Sequence, residues 1–185
     1  NLWGQDSKPS LPDPKDHEFN EKRPTRFAGA ESELKSKDGT AFKVYLSGPK
    51  DSKKAILLVH EWWGLNAHIK GTVDHFGRLG YRTLALDLYG GQVAKTPAEA
   101  QKFMSAVKAD AAQVKLTAAL KSLAQKGRKI GTIGWCFGGG WSLKASVGNP
   151  DLVQATVMYY GLTINDPATL RALKSPVLGI FAKKD

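Results

Sequence analysis

Gly134-Trp135-Cys136-Phe137-Gly138 places the only cysteine of this 185-residue chain between two segments of different character. Lys129 to Ile133 reads as a short buried strand, and Phe137 to Val147 reads as a helix with three glycines in its first turn. A strand that turns sharply into a helix holds the residue at the turn in a strained backbone, so the positions two residues away must lack bulk. Both are glycine here, which makes the pattern G-x-C-x-G. The N–H groups and positive dipole end of the helix favour a thiolate over a thiol and can hold an oxyanion. Nucleophilic catalysis by Cys136 is therefore one reading; a lone cysteine serving as a small buried hydrophobe is the other.

The surrounding elements must be able to position such a residue. Ala41 to Ser47 alternates as a strand, and Ala55 to Val59 is a continuous apolar run, the mark of a strand buried on both faces. Asn66 can cap a helix through Ile69, Val73, Phe76 and Leu79 that stops at Gly80. Tyr81 to Leu86 is the next buried strand, and Thr96-Pro97-Ala98-Glu99 is a capping box that starts a helix. That helical periodicity continues to Lys126-Gly127 with a break near Asp110. Ala155 to Tyr160 and Pro176 to Phe181 are further strands.

Strands alternating with helices of this length predict an α/β fold, a mostly parallel central sheet with helices on both faces. Sites in such sheets form beyond the carboxyl ends of strands, where Glu61, Asp87, Cys136 and Asp185 all fall. Residues 1–30 hold four of the nine prolines and read as an extended arm, with 31–185 as the folded domain.

Composition excludes several classes. With 42% hydrophobic residues the chain can bury a sizeable core, and it has no apolar run of 18 residues to span a membrane. A single cysteine permits no internal disulfide. The net charge of +10 is spread over scattered lysines with no aromatic-basic strand motif, which argues against a nucleic-acid partner. His68 and His75 are seven residues apart, about 10 Å along a helix, so they cannot share a metal as an i, i+4 pair would. No metal or other cofactor is expected. Gly138-Gly139-Gly140 lacks the continuation of a phosphate-binding loop. The sequence opens at Asn1 with no export signal in view, so the compartment stays open between cytoplasm and, if a signal has been removed, periplasm or exterior.

Taken with the loop His60-Glu61-Trp62-Trp63-Gly64-Leu65-Asn66, the segments Asp87 to Gly91, Gly134 to Gly140, Tyr159-Tyr160-Gly161 and Pro176 to Asp185, the chain resembles the dienelactone hydrolase family of α/β-hydrolases from about Leu34 onward. The resemblance implies an ester or lactone hydrolase with Cys136 as nucleophile and an acyl-enzyme intermediate. It implies an oxyanion hole from the backbone N–H groups of Trp62 and Phe137. Glu61 corresponds to the glutamate that helps generate the thiolate, and Asp185 to the triad aspartate. Trp63, Tyr89 and Trp135 are expected to line an apolar or aromatic substrate pocket.

The family's histidine lies about 30 residues beyond the acid, whereas His17, His60, His68 and His75 all precede Cys136. On that ground the domain reads as truncated before the last strand and helix, with a C-terminal segment or second chain needed to complete it and turnover in doubt. The arginine expected after Asp87-Leu88-Tyr89 is replaced by Gly90-Gly91-Gln92-Val93, which leaves the substrate as a general small-molecule ester or lactone. A non-catalytic binding module on the same fold, an inactive fragment and a redox-sensing thiol are the competing readings.

Overall fold

The computed structural model of the protein describes residues 26–183, so Asp185, His17 and most of the expected N-terminal arm lie outside the described residues. The chain runs β1 (Ala30–Lys35), β2 (Ala41–Ser47), β3 (Lys54–Val59), α1 (Ala67–Arg78), β4 (Arg82–Leu86), α2 (Pro97–Ala106) and α3 (Ala109–Ala124). It continues through β5 (Lys129–Trp135), α4 (Phe137–Gly148), β6 (Val153–Tyr159), the one-turn α5 (Pro167–Leu170) and β7 (Val177–Ile180).

Local chemistry sets the helix starts. Asn66 Oδ1 accepts the Ile69 N–H at 3.0 Å to begin α1, and Thr96 Oγ1 accepts the Glu99 N–H at 3.2 Å to begin α2 with proline in its first turn. Side-chain acceptors of this kind satisfy N–H groups that the helix itself cannot. The expected interruption falls at Val107 and Lys108, between α2 and α3.

The seven strands form one sheet in the order β1-β2-β4-β3-β5-β6-β7. β1 and β2 are antiparallel to their neighbours, and β4, β3, β5, β6 and β7 are parallel. The sequence reading has no strand before Ala41. β1 escapes it because the strand is exposed along almost its whole length, so Ala-Glu-Ser-Glu-Leu-Lys shows no apolar alternation; its pairing with β2 makes it a strand.

From β3 the chain passes through α1 to β4 on one side, then returns through α2 and α3 to β5 on the other side of β3. This reversal puts α1 and α3 on opposite faces. One apolar cluster joins Leu57, Val59, Leu84 and Leu86 to Leu116, Leu120 and Leu123 of α3 and Trp141 of α4. The other joins Tyr45, Leu58, Ala85 and Ile133 to Ile69 and Val73 of α1. A crevice opens at such a switch point, beyond the carboxyl ends of β3 and β5. β7 lies at the sheet edge with all four of its residues exposed.

Two polar networks brace this frame. Asp74 of α1 accepts the N–H groups of Ala28 and Gly29 and the Tyr45 hydroxyl, which ties the strand β1 at its start to α1 and β2. Burial, followed by this hydrogen bond to Asp74, pushes the Tyr45 phenol up to about 12. Under α4, Thr132 Oγ1 lies 3.1 Å from each of Ser142 O, Ser146 Oγ and Thr156 Oγ1, which links β5, α4 and β6. Because these hydroxyls are buried, they take their partners from one another and from the Ser142 carbonyl. Thr132→Val, which keeps the shape and removes the hydroxyl, is expected to lower unfolding free energy by about 1–3 kcal/mol in urea denaturation. Unchanged stability would show that the network contributes nothing.

Candidate active site

Gly134, Cys136 and Gly138 mark a backbone-to-backbone contact. A Cβ on Gly134 would lie 2.2 Å from Gly138 O, and a Cβ on Gly138 would lie 2.2 Å from Val59 O. At Gly139 it would lie 2.8 Å from Tyr159 O. The start of α4 therefore sits directly on the ends of β3, β5 and β6, with no room for side chains. Cys136 absorbs the resulting turn at φ 54°, ψ −121°, a region that costs a non-glycine residue about 1–3 kcal/mol. Its own N–H is held by Tyr159 O at 2.9 Å, and its carbonyl accepts from Gly139 and Gly140. The Phe137 N–H, first in the helix, has no intrahelical acceptor.

β3 runs beside β5 with Val59 opposite Gly134. Glu61 and Cys136 are thus both two residues past a paired position, and Trp62 and Phe137 both three past it, on strands about 4.8 Å apart. The Glu61 carbonyl accepts from Gly64 N–H at 3.1 Å, which closes the turn, while the Trp62 N–H takes part in none of the loop's backbone hydrogen bonds among the described residues. Gly64, at φ 92°, brings this turn against Gln92, where a Cβ would lie 2.6 Å from the carbonyl oxygen. Trp63 O accepts the Ala94 N–H at 3.0 Å, so the loops after β3 and β4 brace each other.

His60 is fully buried between those loops. The Leu88 N–H donates to its Nε2 at 3.1 Å, so Nδ1 carries the proton and donates to Glu61 O at 2.6 Å. Both ring nitrogens are committed, and His60 cannot serve as a base. Burial holds its pKa below the ordinary histidine value, against smaller upward effects of the Glu61 carbonyl and the Asp87 charge. Asp87 in turn accepts the N–H groups of Tyr89 and Gly91 and shapes the loop that follows β4.

A cavity of about 890 Å³ opens beside Cys136. Its walls are Met104 and Val107 at the end of α2, Phe137, Trp141 and Lys144 along α4, and Phe181 after β7. Lys144 Nζ lies 4.4 Å above the Trp141 ring, the one cationic group of the lining among the described residues. Trp63, Tyr89 and Trp135 are placed elsewhere. Trp63 lines a separate cavity of about 500 Å³ with Asn66 and Val93. Tyr89 is buried in the core between His60 and Phe137. Trp135 points to the α1 face of the sheet and stacks on Tyr159 at 5.4 Å. Period-two alternation puts Trp135 and Cys136 on opposite sides, a signal already present in the sequence. Phe137, Trp141 and Lys144 follow helical i, i+4, i+7 spacing that starts at the residue after the cysteine, and that spacing could have found them.

No histidine lines this cavity among the described residues, and no cluster of three metal-ligating side chains occurs among them. No helix of the described residues is long and apolar enough to cross a membrane.

Two measurements check this geometry. Gly138→Ala is expected to destabilise the protein by about 3 kcal/mol, since no flexible group can yield to the new methyl. Gly131→Ala, whose Cβ would meet its nearest atom at 3.6 Å, should cost less than about 1 kcal/mol; equal costs in urea denaturation would contradict the tight docking of α4. For His60, the unfolded chain takes up a proton near pH 6.5 while the folded chain does so only at lower pH. Between those values the unfolded state binds more protons, so stability falls as pH falls below about 6.5. His60→Gln should be less stable at pH 7 but lose less stability than wild type on going to pH 5.5; parallel losses would refute the assignment.

Comparison with known proteins agrees with this architecture. Residues 42–185 match the model of the dienelactone hydrolase family. A protein named usf from Aquifex pyrophilus is 31% identical over 159 residues, which covers 80% of this chain and 69% of that protein. A putative carboxymethylenebutenolidase from Aquifex aeolicus is 30% identical with the same coverage. Among solved structures, a putative dienelactone hydrolase from Klebsiella pneumoniae superposes with a TM-score of 0.67 at 22% identity, covering 82% of this chain and 72% of that one. A dienelactone hydrolase from Anabaena variabilis gives 0.65 at 23%, covering 85% and 76%. These two support the α/β-hydrolase fold alone. The match across most of the chain, on a fold that puts the family's loop and turn at adjacent strand ends, means that the chain belongs to the dienelactone hydrolase family, a family of carboxylic ester and lactone hydrolases.

Proposed function

We propose that the protein hydrolyses small carboxylic esters or lactones with Cys136 as nucleophile. The observation that carries this reading is the position of Cys136: strained at a strand-to-helix turn, beside an unpaired helix N–H and on the wall of a largely apolar cavity. Strain of this kind persists only where the surroundings enforce it, and it concentrates at sites of chemistry.

In this reading Glu61, two residues beyond Val59 as Cys136 is beyond its strand partner Gly134, takes the thiol proton as substrate enters. The thiolate attacks the carbonyl carbon, and the oxyanion that forms is held by the N–H groups of Phe137 and Trp62. Collapse of this intermediate breaks the ester C–O bond, the proton held by Glu61 passes to the leaving oxygen, and the alcohol departs or the lactone ring opens, which leaves a thioester on Cys136 and Glu61 ionised. Water then cleaves the thioester and regenerates the thiol. Asp185 has the role of the acid that orients a base for this second step, by resemblance. The aromatic walls formed by Phe137 and Trp141 favour an apolar or aromatic acyl or alcohol group.

The test is hydrolysis of p-nitrophenyl acetate under pre-steady-state conditions. One equivalent of p-nitrophenol per Cys136 is expected in the burst. Cys136→Ala should abolish the burst and lower the rate by about 10³-fold or more, and Glu61→Gln should slow the burst by about 10²-fold. Full turnover in Cys136→Ala, or after complete alkylation, would sink the thiol mechanism; a folded wild-type protein with no burst would favour a binding module.

A further inference from the structure

Three residues on one cavity wall also form one row at the carboxyl edge of the sheet. Trp135 pairs with Tyr159, and Tyr159 pairs with Ile180. Cys136, Tyr160 and Phe181 are each the next residue, on adjacent parallel strands about 4.8 Å apart, and all three line the cavity of about 890 Å³. Tyr160 is the middle member of the row, next to Cys136 on the side away from β3. Glu61 and Trp62 follow β3 on the other side.

Tyr160 is also the second place where the backbone is strained. Among the described residues, Cys136 at φ 54° and Tyr160 at φ 38° are the non-glycine residues with positive φ. A bulky side chain is an outlier in that region, which glycine enters without strain. The neighbours enforce it. Before Tyr160, the Tyr159 carbonyl accepts the Cys136 N–H at 2.9 Å; the Tyr160 N–H itself donates to Ile180 O at 2.8 Å. After it, Gly161 is docked on the first turn of α4, where a Cβ would lie 2.3 Å from Gly140 N. Glycine at 160 would relieve the turn, yet the chain carries tyrosine there, and the ring is not buried in the core. It is 45% exposed on the cavity wall, with Phe181 46% exposed on the next strand. Aromatic surface left uncovered inside a concave site next to a candidate nucleophile is surface for a ligand.

We propose that Tyr160 is a specificity-determining residue whose ring receives a flat aromatic acyl group of the ester, with Phe181 extending the platform. The inference rests on Cys136 as nucleophile and names a substrate class for that site: aryl-carboxylic esters in preference to acetyl and other small aliphatic ones. The strand order indicates which part of the substrate is concerned. With Trp62 holding the oxyanion from the β3 side, the substituents of the carbonyl carbon lie toward β6. The acyl group stays bonded to Cys136 through both steps, within one strand spacing of Tyr160. Offset or edge-to-face contact between the rings then adds to simple burial.

The experiment compares pairs of reagents that differ as benzoyl differs from acetyl. p-Nitrophenyl benzoate and p-nitrophenyl acetate share a leaving group, so the ratio of their kcat/KM values reads acyl recognition, and comparing that ratio between wild type and variant cancels intrinsic reactivity. Phenacyl chloride and chloroacetone make the same comparison by alkylating Cys136, with no need for turnover. Tyr160→Gly, which removes the ring and suits positive φ, is expected to lower both aryl-to-methyl ratios by about 10-fold without lowering the urea midpoint. Tyr160→Asn, which also tolerates positive φ, should give the same loss. Tyr160→Phe should keep both ratios, since the ring and not the hydroxyl makes the contact. A purely structural role would slow both members of each pair alike, so unchanged ratios in Tyr160→Gly and Tyr160→Asn overturn the proposal. Equal losses in Tyr160→Phe and Tyr160→Gly overturn it as well. A fall in the alkylation ratio alongside full ester turnover in Cys136→Ala would instead retain the aryl contact at Tyr160 and reject the nucleophile.

Discussion

The structure depends on the contact between the start of α4 and the carboxyl ends of three parallel strands. Gly134, Gly138 and Gly139 let backbone meet backbone there, at distances where any Cβ would collide with carbonyl oxygens of Val59, Gly138 or Tyr159. Close approach brings the helix N-terminus, with its unpaired N–H groups and positive dipole end, to the sheet's crevice. It also forces the linking residue into positive φ. The strain at Cys136 and the electrostatics around it thus have one cause.

That contact needs a rigid counterpart, and the packing supplies one. Thr132, Ser142, Ser146 and Thr156 clamp α4 to β5 and β6 through a buried hydroxyl network, so the helix cannot slide to relieve the turn. On the other side, His60 and Asp87 hold the loops after β3 and β4 through backbone N–H and carbonyl groups. His60 does this as a neutral ring. A histidine next to a candidate catalytic glutamate therefore has a structural task, set by its burial and by the two hydrogen bonds that fix its tautomer.

The same turn borders a largely apolar cavity. Cys136 sits at the helix end, where fixed dipoles would solvate a charge in the proposed reading, and the cavity walls beyond it are drawn from Met104, Val107, Trp141 and Phe181. Lys144, held over Trp141, gives the lining a positive charge.

Much of the frame was legible in the sequence because it rests on short-range rules. The apolar run Ala55 to Val59, the Asn66 and Thr96 caps and the glycine at 80 each act within a few residues, and β3, α1 and α2 follow them closely. The two glycines around Cys136 likewise announce a turn that no Cβ could share. The edge strand β1 was not legible, since pairing with β2 rather than its own pattern defines it. The cavity was not legible either: its walls come from α2, α4 and the end of β7, segments far apart in sequence that only the sheet order β3-β5-β6-β7 brings together. The sequence by itself determined the elements and the strained turn, because helix caps, apolar runs and missing side chains are local physics. The tertiary structure decided which aromatics face the thiol, because a side chain's neighbours are set by strand order and by the face of the sheet on which it lies.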